Sequence, residues 1–266
     1  MDALTRIVLE TAEPSGFFAT VWAWLLKTWT SLKLDFINNF VTGNRYKYIL
    51  KGLGVTFTVT FFATLIGIAL GVIVAIIRSS HDKLDDELHP GLGKTVLGIL
   101  DNISRVYLTV IRGTPTVVQL MIAYFIIWKS SNNKILIATL AFGINSGAYV
   151  AEIIRSGIMS IDPGQFEAGR SLGLNYIQTM AYIIIPQALK TVLPALANEF
   201  IVLIKETSIS GYVGLEDLSK GGDIIRSLSY SAYMPLIAVA LIYLVIVMFF
   251  TKLVSLLERR LRNSER

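Results

Sequence analysis

The sequence predicts an all-α, polytopic transmembrane helical bundle of about five main spans, because each crossing of a bilayer takes roughly 20 apolar residues. A short cytoplasmic helix between spans and an N-terminal interfacial or extra helix complete the expectation. Three observations carry it. The chain of 266 residues is 53% hydrophobic and only 16% charged, where a soluble domain carries about 25% charged residues. Its mean hydropathy is +0.61. And Gly52–Ile77 contains no charged residue at all.

Composition also excludes several kinds of chemistry. The chain has no cysteine, which removes disulfides, cysteine-bound zinc and thiol catalysis. His81 and His89 fall in one polar stretch without metal-ligand spacing, so neither a metal site nor a catalytic residue is expected. The net charge of +5 is spread along the chain and does not form the basic block of a nucleic-acid binder.

Residues 1–47 precede the first span. Phe17–Leu26 is a ten-residue apolar run, too short to cross a bilayer. Its leader carries Asp2, Glu10 and Glu13 against Arg6, unlike a signal peptide. Residues 16–40 read as an interfacial amphipathic helix with Trp22, Trp24 and Trp29 at the headgroup level. An uncleaved signal-like or extra spanning segment is the alternative.

The first span, Gly52–Ile77, carries Ala63, Gly67, Gly71 and Ala75 every four residues, a stripe of small residues that lets another helix approach closely. The polar stretch Arg78–Lys94 is predicted to be a loop. Within it, "GLGKT" (Gly91–Thr95) resembles the end of a phosphate-binding loop, but Leu88 stands where that motif needs its first glycine. No ATP site is expected in this chain.

The second span covers about Ile99–Trp128 and is interrupted by "RGTPT", Arg112–Thr116. Pro115 removes a helix hydrogen bond, and broken helices at membrane depth occur where they are buried or line a cavity. Arg112 is either paired inside or snorkels at one face. The third span, about Ile135–Ile154, carries Asn145, Tyr149 and Glu152 on one helical face, with Ser146 beside them and Ser156 continuing it. A carboxylate on such a face marks a candidate functional site; the alternative is a structural ion pair between Glu152 and Arg155.

Asp162 and Gln165 have capping-box spacing around Pro163, and Gly173 supplies a helix stop. Asn175 and Gln178 repeat the capping pattern. A stubby, separately capped helix therefore stands between two spans. The fourth span joins "YIIIPQAL" to Val192–Ile204 and is kinked by Pro186 and Pro194. A polar loop, "KETSISGYVGLEDLSKGGD", leads to the last span, about Met234–Phe250. The basic tail, with Lys252, Arg259, Arg260, Arg262 and Arg266, favours a C-terminus inside. The N-terminus is then outside and the capped helix inside.

"EAGRSLG" followed by "IIPQALKTVLP" resembles the cytoplasmic signature loop of permease subunits of bacterial ATP-driven (ABC) importers. Glu167, Ala168, Gly173, Ile184 and Pro186 match it; Gly169 replaces a second alanine and Ile185 a leucine. "RGTPTVVQL", "GAYVAEIIRSGI", "PGQFEAGRSLG", "PQALKTVLPALANEF" and "LIKETSISGYVG" are similar to the polar amino-acid branch. The resemblance covers roughly residues 48–255, taken as the permease domain, with 256–266 as a basic cytoplasmic tail. It implies a multi-pass permease of the bacterial cytoplasmic (inner) membrane that works by alternating access without covalent chemistry. Helix 162–173 would be the coupling helix, docking through Gln165, Glu167, Ala168, Gly169, Ser171, Leu172 and Gly173 on a separate ATPase subunit. ATP and Mg would sit on that ATPase, with no cofactor in this chain. The implied partners are the ATP-binding subunit, a second permease copy or paralogue, an extracytoplasmic amino-acid-binding protein and the lipid bilayer.

Beside that resemblance, the residues suggest how an amino acid would be held. Glu152 suits an ammonium or cationic group, and Arg112, Thr114 or freed backbone N–H groups suit a carboxylate. Gln119, Asn145, Ser146, Tyr149 and Ser156 would supply neutral hydrogen bonds, while Lys205, Glu206 and Thr207 form a gate or a packing network. An importer permease for another small polar solute, or a secondary amino-acid transporter, are the competing expectations.

Overall fold

The computed structural model describes residues 17–84 and 91–263. The acidic leader around Asp2, Glu10 and Glu13, His89, and the tail's Arg266 lie outside them. Among the described residues every regular element is helical. In chain order these are α1 (Phe17–Phe36), α2 (Tyr46–Leu84), α3 (Leu92–Arg112), α4 (Thr116–Ile122), α5 (Lys134–Met159), α6 (Gly164–Ser171), α7 (Tyr176–Thr179), α8 (Ile185–Glu206), α9 (Leu218–Ser229) and α10 (Tyr233–Asn263). Four helical stretches among the described residues are long and apolar enough to cross a membrane. The pair Leu92–Arg112 and Thr116–Ile127, bent by 107° at its break, makes a fifth if it counts as one span.

The bundle is organised by α2 and α5, whose mutual packing is the most extensive in the molecule. The small residues of α2 are the reason. A Cβ on Gly67 would lie 2.9 Å from the Ser146 hydroxyl, and one on Gly71 would collide with Val150. On α5, a Cβ on Gly143 would lie 2.7 Å from Ile66. Without side chains at these points the two backbones come close enough for dispersion contacts to accumulate, which is what drives association in lipid. Ala63, Ala75, Ala138, Phe142 and Ala148 fill the seam and are buried. Their succession pairs rising numbers on α2 with rising numbers on α5, so the two helices run parallel.

In contrast, α10 carries an outward row of Leu236, Ile237, Leu241, Leu244, Val245, Met248 and Phe249, each more than half exposed. That row is the lipid-facing wall expected of a spanning helix.

Two predicted loops are helical instead. Residues 78–84 continue α2, so His81 lies on a helix, and α3 begins at Leu92. The charges there are tolerated because they are paired. Arg78 and His81 lie 3.7 and 3.8 Å from Asp101, and Asp82 lies 2.9 Å from Arg155. The polar stretch before the last span folds as a 3-10 turn, Thr207–Val213, and then α9. Asp217 starts α9 by accepting the amides of Ser219 and Lys220, both at 3.0 Å, a side-chain N-cap. The fourth span is one continuous stretch from Tyr176 to Val213. It passes Pro186 by a π turn, Met180–Ile184, which relieves the clash of the ring with the carbonyl four residues earlier.

Candidate functional site

The break in the second span is built by its own sequence. Pro115 has no amide to donate, so the Ile111 carbonyl loses its helical partner. Gln119 replaces that donor: its Nε2 bonds the Ile111 carbonyl at 2.8 Å and the Thr114 hydroxyl at 2.8 Å. Its Oε1 accepts from Asn145 Nδ2 at 2.9 Å. The break is thereby locked to the middle of α5. The helical stretch from Thr116 to Ile127 rises about 18 Å at 1.5 Å per residue and leaves the break at 107° to Leu92–Arg112.

At the break, Arg112 turns towards α5. Its guanidinium carbon lies 5.7 Å from the Tyr149 ring centroid, within cation–π range. Its Nη1 lies 3.5 Å from Glu152 Oε2. Glu152 also faces Arg155, whose Nη1 is 3.9 Å from Oε1. Glu152 therefore stands between two guanidiniums, and the ion pair with Arg155 expected as the alternative is present. A cleft of about 540 Å³ opens here, lined by Arg78, Arg105, Thr109, Arg112, Gly113 and Glu152. Three guanidiniums and one carboxylate line it, with Asp101 behind, bonded to Arg105 at 2.6 Å.

The eight predicted substrate-side residues divide by environment. Arg112, Thr114, Tyr149 and Glu152 gather at the cleft and the break, and Ser156 lies exposed one turn beyond Glu152. Gln119 and Asn145 are occupied with each other and with the broken backbone. Ser146 is fully buried and donates to Glu199 Oε1 of α8 at 2.9 Å. Thr207 is buried and donates to the Ile204 carbonyl, a packing role.

Sequence reasoning missed Glu199, Asp101, Arg78 and Arg105. Asp101 and Arg105 stand one helical turn apart on α3, an i,i+4 signal that was available; Glu199 sits in an apolar run and announces nothing by spacing.

The second constellation is α6. Its end is a Schellman motif: the Leu174 amide bonds the Gly169 carbonyl at 3.0 Å and the Gly173 amide bonds that of Arg170 at 2.9 Å. Gly173 has φ +78°, where glycine alone is unstrained. Its start departs from the expected capping box. Asp162 Oδ1 accepts the Gly164 amide at 2.7 Å, but Gln165 reaches Gln187 of α8 at 3.2 Å instead of back to Asp162. The full box forms at Asn175 and Gln178. Glu167, Ala168, Ser171 and Leu172 point outward and are exposed, Leu172 by 76%. Gly169 is buried against Thr179, so close that an alanine there would collide.

A bundle of spanning helices with a polar break in one of them and a short, rigidly capped helix at one end has the architecture of a membrane permease. Comparisons identify the family. Residues 93–263 match "Binding-protein-dependent transport system inner membrane component". The chain belongs to that family and is a multi-pass inner-membrane protein. It is 35% identical over 221 residues to the arginine transport system permease protein ArtQ of Bacillus subtilis (strain 168), covering 82% of this chain and 94% of the relative. It is 35% identical over 208 residues to the glutamine transport system permease protein GlnP of Escherichia coli (strain K12), covering 76% and 90%. Among solved structures, an amino acid ABC transporter with histidines superposes with a TM-score of 0.73 at 41% identity, covering 83% of this chain and 98% of that one. The MetNI methionine ABC transporter, at 16% identity and a TM-score of 0.67, shares the fold.

Proposed function

We propose that this chain is the permease subunit of an ATP-driven amino-acid importer. The observation that carries the reading is the joint presence of two built features: the Arg112–Tyr149–Glu152 cleft at a broken span, and the separately capped α6. Relatives named for arginine and glutamine transport support an amino acid as cargo. Glu152 takes the ammonium or a cationic side chain. Arg112 and Thr114 take the carboxylate, with Tyr149 and Ser156 beside them. Asn145, Gln119 and Ser146 hold the frame.

In this reading α6 is the coupling helix, offering Glu167, Ala168, Ser171 and Leu172 to a separate ATPase that carries ATP and Mg. The chain itself is non-catalytic and works with a second permease copy or a paralogue and an extracytoplasmic binding protein. Residues 48–255 form the permease domain, residues 1–47 an interfacial segment, and 256–266 a cytoplasmic tail. The test is ATP hydrolysis by the reconstituted permease–ATPase complex, titrated with single amino acids in the presence of the binding protein. Stimulation by one polar amino acid, lost on Glu167→Ala, is expected. A complex that assembles and hydrolyses ATP yet responds to no amino acid transfers the chain to another small polar solute.

A further inference from the structure

We propose that Arg155 is a positioning residue that exchanges carboxylate partners, and so links movement of α6 to the charge state of the candidate substrate cleft. The proposal rests on the importer reading above, and on a continuous series of contacts from one site to the other.

The series starts at α6. Lys83, at the inner end of α2, holds its ammonium 4.7 Å from the centroid of Phe166 on α6. The Tyr176 hydroxyl, just beyond α6, reaches the Ser79 carbonyl of α2 at 3.5 Å. The end of α2 is thus gripped by the segment around α6. Next to Lys83, Asp82 Oδ2 accepts from both Nε and Nη2 of Arg155, at 3.1 and 2.9 Å. The third nitrogen, Nη1, lies 3.9 Å from Glu152 Oε1. The other oxygen of Glu152 faces Arg112 at 3.5 Å.

Two carboxylates therefore share one guanidinium, and unequally. Asp82 holds Arg155 at hydrogen-bond distance, while Glu152 has it only at ion-pair distance. None of the four side chains is more than 44% exposed, so bulk water does not screen them fully. With Asp82 holding Arg155, Glu152 keeps capacity for an incoming cationic group. When α6 carries the end of α2 away, Arg155 loses Asp82. Among the described residues, the anion then left for the guanidinium to close on is Glu152, where it competes with a bound ammonium. Arg112 pairs Glu152 from the opposite side throughout. The exchange needs no proton transfer, only a choice between two anions, and so makes α6 position and substrate retention mutually dependent, as coupling between sites must be.

The test uses the complete complex with its ATPase and binding protein in lipid. Arg155→Gln is expected to keep assembly and basal ATP hydrolysis. Its substrate stimulation should fall by roughly fivefold or more, the lower end of ordinary inter-site coupling. The swap Asp82→Arg with Arg155→Asp restores an ion pair between α2 and α5 but places a carboxylate beside Glu152. It should recover thermal stability without recovering stimulation. A merely structural role for Arg155 would recover both, and that result overturns the proposal, as does wild-type stimulation in Arg155→Gln.

A second readout separates this from failure of the substrate reading. The chain has no cysteine, so Val110→Cys, at an exposed position beside the break, is its single thiol, and labelling is read on this chain after the subunits are separated. Its labelling rate should change with ATP in the wild-type background and lose that dependence in Arg155→Gln. If no amino acid stimulates hydrolysis but the labelling still depends on Arg155, the cargo assignment fails and the exchange stands. If the labelling is ATP-dependent regardless of Arg155, the exchange fails.

Discussion

Gly169 on α6 and Thr179 on α7 approach so closely that a Cβ on Gly169 would lie 2.7 Å from both Cγ2 and Oγ1 of Thr179. This explains why glycine occupies the position where the importer signature carries a second alanine. In an exposed helix, Gly→Ala gains about 1 kcal/mol. Here overpacking costs about 1–3 kcal/mol, so the clash wins. Gly169→Ala should lower stability by up to about 2 kcal/mol, read as a melting shift in detergent. Thr179→Ala removes both offending atoms and leaves a 3.2 Å contact to Cβ, which a shift of a few tenths of an ångström relieves. The double variant should regain the loss. Equal melting of single and double variants would show that α6 shifts freely instead.

A different balance holds Asp217. It caps α9 with two backbone amides while its carboxyl is largely buried. Burial pushes it above its ordinary 3.8, and the amide bonds only partly offset that. The folded protein therefore binds this proton more readily than the unfolded chain does. The contribution is most favourable below 3.8 and is lost as pH rises through the raised folded value. Asp217→Asn keeps an acceptor and carries no charge, so it should flatten stability across that window. Asp217→Ala should flatten it as well, at a cost of about 1 kcal/mol for the lost cap. Asp223, on the same helix, behaves oppositely. Bonds from Lys220 and Arg226 hold it below the usual range, so its stabilisation persists at neutral pH and disappears only in acid. Unfolding monitored from pH 3 to 7 distinguishes the two.

The apolar spans, the break at Pro115, the small-residue stripe of α2 and the capped α6 were all legible, because each rests on local chemistry: run length, a missing amide, a missing side chain, a cap. What was not legible depends on partners distant in sequence. Residues 78–84 look like a loop because Arg78, His81, Asp82 and Lys83 are polar or charged; they are helical because Asp101, Arg155 and Phe166 receive them. Gly221 and Gly222 likewise suggest a loop before the last span. In the fold, a Cβ on Gly221 would meet the Tyr48 carbonyl at 2.6 Å, so the glycine serves helix contact. The Asp162–Gln165 spacing promised a capping box, but Gln187 competes for the Gln165 side chain. Of the cleft, Arg112, Tyr149 and Glu152 were found from one helical face and one break. Arg78 and Arg105 were not, because only the tertiary crossing of α2 and α3 brings them there.

Glu152→Gln tests the cleft. The substitution keeps size, removes one charge between Arg112 and Arg155 and turns one of the two acceptor oxygens into an amide donor. A hydrogen bond to a charged group is worth about 1.5–3 kcal/mol, so uptake should fall roughly 10- to 100-fold. The complex should still assemble, because Asp82 continues to hold Arg155. Uptake at the wild-type rate would remove Glu152 from the substrate path.

Gln119 is the sharper structural test, because its role follows from a missing atom. Pro115 leaves the Ile111 carbonyl without its amide, and Gln119 Nε2 fills that place at 2.8 Å while Oε1 receives Asn145. Gln119→Ala strips the carbonyl and leaves Asn145 Nδ2 without its acceptor in a buried setting. Each orphaned group costs about 1–3 kcal/mol. Gln119→Glu is nearly isosteric and keeps the acceptor for Asn145. It replaces the donor with an anionic oxygen facing the lone pairs of Ile111 and the Thr114 hydroxyl. The hydroxyl can turn to donate; the carbonyl cannot. Simple loss of volume ranks alanine as the worse change, whereas loss of the donor at a broken helix ranks glutamate as equal or worse at neutral pH. Glutamate should also recover towards wild type on acidification, as protonation returns one donor to the Ile111 carbonyl. Melting temperatures of both variants at two pH values decide it: a glutamate variant that matches wild type at neutral pH would mean that water, not Gln119, satisfies the broken span.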